Sequence, residues 1–175
     1  MAKTSPPSSL SFAQAIEKTQ SLMNQIASNK FTEAEIEQEV TSILSNKNGG
    51  RGFFVAYLTS DTPLADNPSL GVISGLKSAI EISSELLVKN LAMSAAMIVT
   101  HNQNEDLENI AGSQKVSRRT QNLIQRVAQP LINEQLEKLN NTIKNGGGEY
   151  QEFLNRWGYS EEQKKAIQNS VSGLL

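Results

Sequence analysis

Residues 80–101 read IEISSELLVKNLAMSAAMIVTH, and the reading of this stretch decides the fold. It is long enough for about six helical turns. Its apolar residues occupy every side instead of one stripe, which is unlike an ordinary amphipathic surface helix. The pattern predicts a buried central helix over about 83–101, with Ser83 or Ser84 as its N-cap and Glu85 in its first turn. Such a helix needs partners, and the sequence on both sides supplies further helices.

Toward the N-terminus, Asn67 and Pro68 open a helix that runs to about Ile80, weakened by Gly71 and Gly75. Phe53–Thr59, FFVAYLT, has the composition of a strand. No second run of that type is present to pair with it, and a lone strand leaves its backbone groups unsatisfied. It is therefore read as a short buried helix. The preceding Gly49-Gly50-Arg51-Gly52 has neither the Lys-Ser/Thr of a phosphate loop nor a dinucleotide fingerprint, and is read as a flexible connector. Thr32 and Glu35 form a capping box for a helix with Ile36, Val40, Ile43 and Leu44 turned inward. Ser11 to Ser28 carries Phe12, Ile16, Met23 and Ile26 at helical spacing. Residues 1–10, rich in Ser and Pro, read as a disordered tail.

Beyond His101 comes a polar break, and Ser113 is expected to begin the next helix. Its apolar face runs through Val116, Leu123, Ile124, Val127, Leu131, Ile132, Leu136 and Leu139. Pro130 should kink or split it near Val127 to Gln129. Gly146, Gly147 and Gly148 stop it after Asn145. Two short helices close the chain: one from Glu149 to Trp157, and one from Ser160, with a Ser160/Gln163 capping box, to Val171. The expected architecture is all-α, a single domain over 11–175 built as an orthogonal or irregular bundle of about seven helices around the central one.

Composition narrows the function. The 175 residues carry a formal net charge of −2, one histidine and no cysteine. Disulfides, thiolate metal sites and cysteine nucleophiles are excluded, as is a histidine-rich metal cage. No overall field draws the chain to nucleic acid or to an anionic membrane. The longest uncharged apolar run, Leu91 to Thr100, is about half of the roughly 20 residues of a membrane span. A soluble, cytoplasmic protein is expected. No nucleophile elbow, metal-binding helix motif or spaced carboxylate pair is present, so no catalytic residue, metal site or cofactor is assigned.

Three features remain as candidate sites. On the central helix, Asn90, Ser94, Met97 and His101 fall on one side. This polar line would border a ligand pocket with His101 at its mouth, or else find its partners internally, with His101 at the helix C-terminus. The small residues Ala92, Ser94, Ala95 and Ala96 allow another helix to approach closely. Downstream, Lys115, Arg119 and Arg126 share a face with Asn122, and Arg118 lies beside them. With Ser113 as the cap, Lys115 and the two following arginines sit at the positive end of the helix dipole, which suggests an anionic counterpart. The run lacks aromatics for base stacking, and this disfavours nucleic acid. Finally, Phe153, Trp157 and Tyr159 concentrate aromatics in a chain with 5% of them. If exposed, Trp157 and Tyr159 would be hot-spot residues. The leading expectation is a non-enzymatic protein that binds an unidentified protein partner through Lys115, Arg118, Arg119, Arg126, Trp157 and Tyr159. Self-association into a homodimer is compatible with leftover apolar faces. The alternatives are a small-molecule or cofactor pocket beside the central helix, and nucleic-acid binding through the basic helix 113–127.

Overall fold

The computed structural model describes residues 9–175, so most of the expected tail over 1–10 lies outside the described residues. Among them are nine α-helices, one 3-10 turn and no strand. The all-α expectation holds, with nine helices in place of about seven. The described residues fall into two compact units, one up to Ser83 and one from Ser84 onward, and each is considered by itself.

The first unit contains α1 (Phe12–Ala27), α2 (Glu33–Ile43), α3 (Lys47–Thr59), a 3-10 turn (Pro63–Asp66) and α4 (Leu70–Ser78). Each of the four α-helices starts at a side chain that satisfies orphan backbone donors. Ser11 and Gln14 cap α1 reciprocally, and Thr32 and Glu35 do the same for α2. Asn46 Oδ1 accepts from the Gly49 N–H at 2.8 Å, so α3 begins at Lys47 and runs straight through the glycines. Residues 49–52 are thus helical, and the expected flexible connector is corrected. FFVAYLT completes this helix. Phe53, Phe54, Tyr57 and Leu58 are buried, and the Phe53 and Tyr57 rings stack at 5.2 Å.

Glycine makes the close packing possible. α3 packs on α1 and α4 on α2. A Cβ on Gly52 would stand 2.6 Å from Ala15 Cβ and from the Phe12 carbonyl oxygen. One on Gly75 would stand 2.6 Å from Val40 Cβ and Cγ1. At Gly71 it would meet the Glu33 carbonyl, and the Gly71 N–H itself donates to Glu33 Oε2 at 2.5 Å. The helix propensity lost at these positions is offset by backbone approach. The cap of α4 is Ser69, not Asn67: its hydroxyl accepts from Val72 N–H at 3.3 Å.

The long helix α5 spans Ile80–Gln103, starting one turn earlier than Ser83. The expected caps Ser83 and Ser84 are inside it and buried, and Ser83 Oγ donates to the Leu76 carbonyl at 2.7 Å. Leu86, Leu87, Val88, Leu91, Ala92, Ser94, Ala95 and Ala96 are also buried. From Met97 onward the burial lapses: Met97 is exposed, and Ile98, Val99, Thr100 and His101 are half-buried. By length and composition α5 could cross a membrane, but 56% of its most apolar window is buried inside the protein, as in a core helix.

The second unit adds α6 (Leu107–Val127), α7 (Pro130–Asn145), α8 (Gln151–Trp157) and α9 (Glu161–Ser172). Pro130 splits the long pattern as expected: α6 ends at Val127, Ala128 turns left-handed, and Pro130 begins α7 at the position where its missing N–H costs nothing. α9 packs on α7 and also reaches α5. The Gln163 side chain completes the expected capping box with Ser160, and its amide donates to the Ala96 carbonyl at 3.2 Å and to Thr100 Oγ1 at 2.9 Å.

Candidate functional site

The basic helix differs from its expected form at its start. α6 opens at Leu107 because Asp106 caps it, accepting from the Asn109 N–H at 3.2 Å and from the Asn109 side-chain amide at 2.5 Å. These bonds, with a smaller contribution from His101, hold the Asp106 carboxyl below the usual carboxylate range. Ser113 is an interior residue. Lys115 and the arginines therefore lie two or more turns from the N-terminus, where the dipole no longer acts on them. Their position in α6 therefore calls for no anion at the positive helix end.

Burial then separates the four cations. Arg119 is 3% exposed and Lys115 is half-buried, whereas Arg118 and Arg126 are exposed. Arg126 Nε also donates to Asn122 Oδ1 at 3.3 Å. The face that reads as one basic surface in sequence is partly covered by the protein, while Arg118 beside it and Arg126 on it reach solvent.

The aromatic group also divides. Trp157, the last residue of α8, is 52% exposed, and the Arg156 guanidinium lies 6.0 Å from its ring centroid. Gly158, at φ +59°, stops the helix directly after it. Tyr159 is half-buried, and burial pushes its phenol up to about 12. Its ring meets Phe153 at 6.2 Å, and Phe153 meets Tyr150 at 6.1 Å and carries the Lys89 ammonium at 5.6 Å. The Tyr150 hydroxyl donates to Gln135 Oε1 at 2.6 Å, and burial, then Glu85 and Glu149, raise its pKa above the usual phenol range. Phe153, Tyr150 and Tyr159 thus anchor α8, and Trp157 is left at the surface.

The polar line on α5 finds partners at home. Asn90 Nδ2 donates to the Leu86 carbonyl at 2.8 Å and Ser94 Oγ to the Leu91 carbonyl at 3.0 Å. His101 Nδ1 lies 4.0 Å from Asp106 Oδ2, and the Asp106 N–H donates to the His101 carbonyl at 2.9 Å, closing the turn into α6. Met97 is exposed apolar surface. Among the described residues no three of His, Cys, Asp and Glu gather as a metal ion would need.

An open groove of about 340 Å³ lies at the end of α7, lined by Lys138, Asn141, Thr142, Asn145, Gly146–Gly148 and Glu149. Lys138 and Glu149 pair across it at 3.1 Å. In sequence this segment reads only as a helix stop and hinge. The signal that could have drawn attention to it is the triple glycine, whose three residues all hold positive φ.

These features define a class: an all-α protein of capped helices that presents an arginine–tryptophan pair at the end of a short helix. The chain belongs to the family described as uncharacterised conserved protein UCP020893, which matches residues 11–174. No curated protein and no solved structure matches it.

Proposed function

We propose that this chain is a soluble cytoplasmic protein that works by binding another protein, as an adaptor, assembly factor or regulatory subunit. The observation that carries the reading is the exposure of Trp157 beside Arg156. A large exposed aromatic is costly to leave in water, and Trp and Arg are the residues most enriched at binding hot spots. Arg118 supplies an exposed cation on α6 for an acidic group of the partner. Arg119 is left out of the contact set because it is buried. The pocket reading is weaker, since Asn90 and Ser94 direct their donors into their own helix.

The test uses the chain's single tryptophan. Tagged protein is used to capture partners from its native lysate with and without nuclease, beside Trp157→Ala and Arg118→Glu variants. A protein retained after nuclease, bound about 30-fold less tightly by W157A and shifting the tryptophan emission to the blue, is the expected result. Equal retention by both variants, or retention lost with nuclease, overturns the reading.

A further inference from the structure

The chain contains two Asn-Gly pairs, and the fold treats them in opposite ways. Asn48-Gly49 lies in the first turn of α3, where Gly49 is buried and its N–H is held by Asn46 Oδ1 at 2.8 Å. Asn145-Gly146 lies at the C-terminal end of α7, with both residues exposed. Nothing comes within 4 Å of where a Cβ on Gly146 or Gly147 would be, and both hold φ +71°. One backbone bond restrains the Gly146 N–H, to the Thr142 carbonyl at 2.8 Å, and it is the last of a helix whose end is free to fray.

We infer that Asn145 is a site of spontaneous succinimide formation, and that Asn48 is protected from the same reaction. When the end of α7 frays, the Gly146 nitrogen gives up its proton to hydroxide and attacks the Asn145 Cγ. A C–N bond forms, the Cγ–Nδ2 bond breaks, and the side-chain nitrogen leaves as ammonia. Water then opens the five-membered ring. Breaking the new Cγ–N bond leaves an aspartate at 145. Breaking the original bond from the nitrogen to the backbone carbonyl leaves an isoaspartate, with the chain running through the side-chain carboxyl. Glycine is the residue that least hinders this attack, because it brings no Cβ to the reacting nitrogen. Either product makes the chain one charge more negative. The new carboxylate stands at the negative end of the α7 dipole, where an anion is disfavoured, and lines the groove that holds Lys138 and Glu149. The modification therefore weakens the last turn of α7.

The 175-residue protein is aged at mildly alkaline pH, native and in denaturant, and mapped by peptide mass spectrometry. An isoaspartyl methyltransferase with labelled methyl donor counts the isoaspartate. The expected result is conversion at Asn145 at least ten times faster than at Asn48 in the native protein, with the two rates converging in denaturant. The methyl label should disappear in Asn145→Gln. A native protein in which Asn145 survives as long as Asn48, or in which the label persists in N145Q at the wild-type level, overturns the inference.

Discussion

Ala128 holds φ 46° and ψ 49° between α6 and α7, a left-handed conformation that sets its Cβ against the following carbonyl. Ala128→Gly removes that strain while adding freedom to the unfolded chain. The net expectation is a gain of up to about 1 kcal/mol, read as a rise of roughly 2–4 °C in Tm. Tyr159 gives a second expectation at this scale. Its phenol is pushed from 10.0 to about 12 by burial, so the folded chain holds the proton more tightly than the unfolded one. The stability this contributes is complete below pH 10 and is lost as pH rises toward 12. Denaturation followed across that window should show a shallower alkaline loss in Tyr159→Phe than in the wild type. Single residues were the least legible part of the sequence. That Arg119 is covered while Arg118 is open does not follow from a helical face, since it depends on which neighbours the face meets. Tyr159 likewise reads as a candidate contact, and only its ring contact with Phe153 shows it to be half anchored.

At the scale of helices, two glycines of the same chemistry should respond oppositely to a methyl group. Gly112 lies in the exposed middle of α6 with nothing within 4 Å of a Cβ, so Gly112→Ala should stabilise by about 0.5–1 kcal/mol through propensity alone. In Gly75→Ala the same gain meets Val40 at 2.6 Å, and the overpacking cost of about 1–3 kcal/mol should win. Thermal melts of the pair measure both signs. The helices themselves were legible wherever a capping box preceded an apolar period, as at Thr32 and Ser160. The start of α6 was missed because Asp106 sits at the end of a polar run that reads as loop, while Ser113 offers a later cap of equal quality. The run 49–52 was missed because glycine reads as a helix breaker. Sequence gives the cost of each glycine but not the neighbouring helix that offsets it.

For the molecule as a whole, the all-α class was legible because FFVAYLT had no strand to pair with. The division at Ser83/Ser84 was not, since it falls within α5, where the sequence offers no linker. With a formal charge of −2, the protein should pass through immobilised heparin at physiological salt, Arg118 and Arg126 notwithstanding. Retention released only at high salt would turn attention back to nucleic acid.

The glycine contacts of the first unit also govern how relatives of this chain can drift apart. At Gly49 and Gly71 the obstacle to a side chain is a backbone carbonyl, of Ile43 and of Glu33. No replacement elsewhere removes a carbonyl, so these two positions should stay glycine throughout the family. At Gly75 the obstacle is the Val40 side chain, which can shrink. A relative with alanine at 75 should carry a smaller residue at 40, and the two exchanges should be inherited together.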